Sequence, residues 1–193
     1  ATVQRLADDY AGELAGLIAH CVSAGVSGVT PSDFPLAALD QAQLDRFPVP
    51  AAQIADLYPL SPMQQGMLFH TLFEQEAGNY INQLRVEVSG LDVARFRAAW
   101  QAVVDQHDVL RSVFVSELEQ PLQLVLRQVE VPFVEVDARG QADQQAWLDA
   151  WAAGERERGF ELSRGPLLRL AVARLGEQRY QLVYTCHHIL MDG

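Results

Sequence analysis

Apolar residues Val3, Leu6, Tyr10, Leu14, Leu17, Ile18 and Cys21 recur every three or four positions and predict an amphipathic helix with one apolar stripe. Such a stripe has to be buried against something. Small residues from Ser23 to Gly28 break the pattern, and Thr30-Pro31-Ser32-Asp33-Phe34-Pro35 is rich in turn formers. A short helix follows, with Asp40 as N-cap and Gln41-Ala42-Gln43-Leu44-Asp45 as its body. Pro48-Val49-Pro50 ends it and favours an extended linker. A segment of this size cannot build a core of its own.

Next come Ser61, a good N-cap, and Pro62, suited to the first helical position. Met63 with Met67, Leu68 with Leu72 and Phe69 with Phe73 are spaced i,i+4. The three pairs cover much of the circumference and predict a largely buried helix. Leu84-Arg85-Val86-Glu87-Val88 alternates as a half-buried strand. Gly90 turns the chain, and Asp92 caps a helix with Val93, Phe96, Ala99, Trp100, Val103 and Val104 inward. Leu122-Gln123-Leu124-Val125-Leu126 and Pro132-Phe133-Val134-Glu135-Val136 predict strands, and residues 141–158 an amphipathic helix through Ala146, Trp147, Leu148 and Trp151. Residues 167–175 and 179–186 predict a hairpin around Gly176-Glu177-Gln178. Strands mixed with helices give an α/β sandwich, a sheet covered by helices.

The chemistry concentrates at the end: His187-His188-Ile189-Leu190-Met191-Asp192-Gly193. Imidazole titrates nearest neutrality and can give or take a proton at working pH. Neighbours on a strand point to opposite faces, so if the strand continues through them, at most one of His187 and His188 serves a given pocket. Asp192-Gly193 reads as a turn. Arg111 lies in an apolar run; if buried it needs a carboxylate, and otherwise it reaches solvent. His20 and His70 read as structural. Cys21 and Cys186 sit in apolar runs without metal-ligand spacing and read as buried free thiols. A net charge of −11 argues against a nucleic-acid partner. There is no phosphate-binding glycine loop, no secretory leader pattern and no apolar run of membrane-spanning length, so the default location is cytoplasmic.

Three stretches together carry a family resemblance. His187-His188-x-x-x-Asp192-Gly193 resembles the motif of the condensation-domain superfamily of nonribosomal peptide synthetases, which shares the chloramphenicol acetyltransferase fold. Tyr58-Pro59-Leu60-Ser61-Pro62-Met63-Gln64-Gln65-Gly66-Met67-Leu68-Phe69-His70 is similar to the opening motif of a condensation domain. Gln106-His107-Asp108-Val109-Leu110-Arg111-Ser112-Val113-Phe114 is similar to a second motif, with Gln106 where the family has Arg. Phe160 to Arg169 also resembles a condensation-domain stretch. Leu17-Ile18-Ala19-His20-Cys21 and Thr30-Pro31-Ser32-Asp33-Phe34 resemble the C-terminal tail of an epimerization- or condensation-type domain.

The resemblance implies a division: 1–47 as the tail of a preceding epimerization-like domain, 48–54 as linker, and 55–193 as the N-terminal lobe of a condensation domain cut after its motif. The fold expected is a chloramphenicol acetyltransferase-like two-layer lobe, a mixed sheet covered by helices, behind an N-terminal helical segment. The implied reaction is amide formation between a donor peptidyl thioester and an acceptor aminoacyl thioester. Both arrive on phosphopantetheine arms of upstream and downstream carrier domains, and no cofactor or metal is bound directly. His188 would be the catalytic residue, as base or as positioning group. His187, Asp192, Arg111 and Gly193 would support it, with Arg111 paired to Asp192. An epimerization-type tail upstream implies a D-configured donor. The isolated fragment, without a C-terminal lobe, is expected to be inactive and prone to self-association. Two alternatives remain: an epimerization domain, which uses the same motif, and a non-catalytic linker or interaction fragment.

Overall fold

The computed structural model describes residues 2–23, 28–47, 49–73, 80–118 and 120–191. Two sheets organise the chain. The first contains β1 (Ile54–Pro59), β3 (Ser112–Val115) and β4 (Leu122–Leu126), all antiparallel in the order β1-β4-β3. The second contains β2 (Ile81–Ser89), β5 (Phe133–Asp137), β6 (Leu168–Arg174) and β7 (Arg179–His187), in the order β2-β7-β6-β5. β6 and β7 form the expected hairpin, and β2 adds antiparallel to β7. Among the described residues only β5 and β6 run parallel. A parallel pair needs a crossover, and helix α5 (Gln144–Glu157) supplies it. The sandwich is therefore built on two sheets, and the second is the mixed one.

Period-two alternation places the covering helices. On β6, Leu168 and Leu170 pack with Val104 of α4 (Val93–Gln106), while Ala173 packs with Leu148 of α5. The two helices thus cover opposite faces of one sheet, which is why β6 is apolar almost throughout. On the α4 side Trp100 stacks on Tyr184 with ring centroids 5.2 Å apart. On the α5 side Gln83 Nε2 donates to Ala152 O at 2.8 Å, and Arg85 pairs with Asp149 at 2.7 Å. Asp92 and Asp143 accept from the backbone N–H groups of Arg95 and Ala146, capping both helices. Of the residues expected on the inner side of α4, Ala99 and Val103 are exposed.

Three N-terminal expectations change. α1 (Thr2–Cys21) forms as predicted but buries no residue, so its stripe and Cys21 are exposed, and only Cys186 is a buried thiol. α2 (Gln41–Leu44) is capped by Asp40, which accepts from Gln43 N at 2.7 Å. Phe34, Ala37 and Leu44 are buried in one cluster with Ile54, Leu57, Val113, Val115, Leu122 and Leu124. The core of the first sheet therefore runs back before position 47, with Val29, Leu39, Phe47 and Val49 packed against it. The third change is α3 (Pro62–Phe73), expected to be largely buried. Met67 and Leu68 are buried, but Met63, Phe69, Leu72 and Phe73 are 56–70% exposed. Its residue pairs do encircle the helix, yet the protein covers only one side.

Candidate active site at the end of β7

The two histidines differ in burial, His187 buried and His188 only partly so. β7 ends at His187, and the chain turns through His188 and Ile189. The His187 ring goes into the core, 1% exposed, beside a cluster of Leu60, Met67, Leu68, Phe114, Leu162, Leu167, Ile189 and Leu190. Its Nδ1 accepts the backbone N–H of Ile189 at 3.1 Å. A nitrogen that accepts carries no proton, so the neutral ring is protonated at Nε2. Nε2 lies 3.4 Å from the Thr71 hydroxyl, which in turn donates to Met67 O at 2.8 Å. Burial, with a smaller contribution from His188, lowers the His187 pKa to about 4. His187 is thus a neutral strut within a turn that it helps to close.

The His188 backbone N–H donates to Tyr80 O at 2.7 Å, which ties the turn to the start of β2. Its half-buried ring lies on the opposite side from that of His187, with Nδ1 3.0 Å from the amide nitrogen of Asn82. Of the pair, His188 is the one whose ring stays out of the core. Asp192 and Gly193 lie outside the described residues.

A third connection holds the turn from the first sheet. Gln64 Nε2 donates to Ile189 O at 3.3 Å and to Gln123 Oε1 at 2.9 Å. Gln123 is 4% exposed in the middle of β4, and its own Nε2 donates to Ser112 Oγ at 2.8 Å and Tyr58 Oη at 3.1 Å. Ser61 and Gln64 close a capping box, Gln64 Oε1 accepting from Ser61 N and Gln64 N donating to Ser61 Oγ. So the cap of α3 delivers the amide that grips the turn. Burial, then Asp56 and Asp108, push the Tyr58 pKa up, which keeps its hydroxyl neutral.

Arg111 is buried, 7% exposed. Nε donates to Leu126 O at 2.9 Å, and Nη1 donates to Val104 O at 2.8 Å and to Asp105 O. Nη2 pairs with Asp108. Among the described residues its carboxylate partner is thus Asp108, three residues earlier. The guanidinium closes the end of α4 onto β4 through the turn at Asp108–Arg111.

Sequence reasoning had singled out His187, His188 and Arg111, and it missed Asn82, Gln64, Gln123 and Thr71. Gln123 had left a signal, a polar residue central in an apolar strand. Asn82 had left none, because its contact depends on the pairing of β2 with β7. Among the described residues no group of His, Cys, Asp and Glu could hold a metal, and no helix is long and apolar enough to cross a membrane.

Comparison with known proteins adds the following. A family model described as condensation domain matches residues 54–193. A linear gramicidin synthase polypeptide of Brevibacillus parabrevis is 45% identical over 196 residues, covering 100% of this chain and 2% of the relative. Bacitracin synthase 1 of Bacillus licheniformis is 30% identical over 198 residues, covering 100% and 4%. The chain spans only these small shares of the relatives it matches. The solved starter condensation domain of rhizomide synthetase superposes with TM-score 0.64 at 27% identity, covering 71% of this chain and 35% of that one. A four-domain nonribosomal peptide synthetase bound to AMP and glycine superposes with TM-score 0.65 at 20% identity, covering 72% of this chain and 11% of that one, a likeness of fold.

Proposed function

Because the chain belongs to the condensation-domain family over residues 54–193, we propose that it is the half of a condensation domain that carries the histidine turn, and that the domain joins two carrier-bound substrates by an amide bond. The observation that carries this reading is the divided histidine pair: His187 is neutral and locked inward, and His188 is held half-buried beside β2.

The amino group of an acceptor aminoacyl thioester attacks the donor thioester carbonyl. The tetrahedral species collapses, expels the phosphopantetheine thiolate and leaves an amide. The proton lost by nitrogen ends on the departing thiol, so the step balances without an external acid or base. A neutral amine is already nucleophilic, and placing it against the carbonyl supplies much of the rate. His188 is the residue that meets the reacting groups, whereas His187, Asp192 and Gly193 hold the turn, and Arg111 braces the end of α4 against β4. Upstream and downstream carrier domains deliver the substrates, and a second lobe completes the site. The resemblance of residues 17–34 to an epimerization-type tail supports a D-configured donor. Residues 1–47 would then be the end of that preceding domain, with Phe34, Ala37 and Leu44 packed onto the lobe.

The test is a condensation assay on the intact two-lobed domain with loaded carriers, comparing wild type with His188→Ala. Loss of product with loading intact supports the reading, and undiminished product removes His188 from it. Exchange of the donor α-proton without condensation would move the domain to epimerization. Preference for an L-donor over its D-epimer would remove the D-donor assignment.

A further inference from the structure

We infer that Gln123, in the middle of β4, is a positioning residue for the histidine turn: through Gln64 it fixes the Ile189 carbonyl and so the place that His188 takes. The inference rests on the amide-forming reading above for its effect on the reaction, but not for its geometry.

Strand alternation sets Gln123 apart. Leu122 and Leu124 go into the first core with Val113 and Val115. Gln123 points to the other face, between its register partners Tyr58 of β1 and Phe114 of β3. On that face Phe114 packs in one cluster with Ile189, the residue after His188. A leucine at position 123 would suit such surroundings and would bury no amide. The amide there is instead fully used. Oε1 accepts from Gln64 Nε2 at 2.9 Å, and Nε2 donates to Ser112 Oγ at 2.8 Å and to Tyr58 Oη at 3.1 Å. Gln123 thus ties the amide of Gln64 to β1, β3 and β4 together.

The direction of these bonds follows from backbone groups, each of which has one role. The Ser61 N–H can only donate, so the atom of Gln64 that meets it is the oxygen. The Ile189 carbonyl can only accept, so the atom 3.3 Å from it is the Gln64 nitrogen. With Gln64 set from both ends, its second N–H meets the oxygen of Gln123, and the nitrogen of Gln123 is left for Ser112 and Tyr58. The Ser112 hydroxyl donates to Asp108 O at 3.1 Å and therefore accepts from Gln123. Asp108 is also the carboxylate partner of Arg111. The turn at Asp108–Arg111 is thereby joined to the turn after β7 by a route that does not pass through Asp192. The peptide unit held by Gln64 adjoins His188, and a misplacement of about 1 Å in a reacting arrangement costs up to about a hundredfold in rate.

The test uses the intact two-lobed domain. Gln123→Leu removes the coupling amide, and Gln64→Met removes the grip on the turn alone. Gln64 is only half-buried, so its variant carries the test if Gln123→Leu does not fold. Each is expected to lower kcat about tenfold with KM for the loaded acceptor carrier unchanged. Each should also speed hydrogen exchange in the peptide from His188 to Leu190, while Leu182 to Tyr184 stay protected. The double variant should be no slower than the slower single one, because both act along one route. Val115→Ala, which weakens the same sheet without touching the chain of amides, should leave kcat and turn exchange as they are. An equal loss of kcat in Val115→Ala, additive losses in the double variant, or unchanged turn exchange in the glutamine variants overturns the inference. Wild type that forms no amide sinks the proposed function. Exchange at the turn then decides the inference: faster in the variants upholds it, and unchanged overturns it.

Discussion

Leu167, Ile189 and Leu190 around the end of β7 are 0–4% exposed, whereas Leu6, Leu17 and Ile18 on α1 are 57–69% exposed. Both stretches are apolar and both adopt the local structure their patterns predict. At the turn, polar groups are answered as completely as apolar ones. Gln64, Gln123, Ser112, Thr71 and His187 all have partners, and no buried side-chain polar atom among the described residues lacks one. α1 buries nothing, and the outer side of α3 is similarly bare at Met63, Phe69 and Phe73. Residues 29–47 lie between the extremes: they follow α1 in sequence but place Phe34, Ala37 and Leu44 in the first core. The difference teaches that amphipathicity specifies an element and one of its faces, but not what covers that face.

The contrast can be broken most forcefully at Arg111. Arg111→Met would take this donor from the buried carbonyl of Val104 and from the part-buried carbonyls of Asp105 and Leu126. We expect destabilisation of about 3–5 kcal/mol in urea unfolding. A loss under about 1 kcal/mol would mean that water reaches this site and the finished side is less closed than it looks.

His187 gives the next largest effect, and it depends on pH. The unfolded chain takes up its proton near the ordinary value of about 6.5, while the folded ring resists until about 4. Stability from this group is therefore full above about pH 6.5 and is lost as pH falls towards 4, by about 2–3 kcal/mol. His187→Asn keeps an acceptor for Ile189 N–H but cannot titrate. The difference in stability between the two proteins should shrink over that window, and a constant difference would remove the neutral buried ring.

Gly165 sharpens the packing side. A Cβ there would stand 2.8 Å from Val113 Cγ1 and 3.2 Å from Leu126 Cδ1. Gly165→Ala should cost about 1–3 kcal/mol by overpacking, read as a shift of the urea midpoint. No shift would show that the loop before β6 sits away from the first sheet.

The smallest effect on stability belongs to α1. Leu6→Lys with Leu17→Lys should change unfolding free energy by less than about 0.5 kcal/mol per site and should reduce self-association in sedimentation velocity, because it removes an exposed apolar stripe. A loss above about 1 kcal/mol in the monomer would place α1 against the lobe and erase the comparison.

Much of this was written in short-range pattern. The stripe from Val3 to Cys21 made α1, Asp40, Asp92 and Asp143 capped their helices, and Gly176-Glu177-Gln178 closed the β6–β7 hairpin. These features depend on neighbours within a few residues, so the sequence alone determines them. The exposed half of α3, the packing of Phe34 onto the first sheet and the bare face of α1 were decided by tertiary structure. So were the grip of Gln64 on Ile189 and the contact of Asn82 with His188. The last two join residues 125 and 106 positions apart. Their strength lies in donor–acceptor distance and angle, which no local pattern encodes and which exist only once the sheets have set their register.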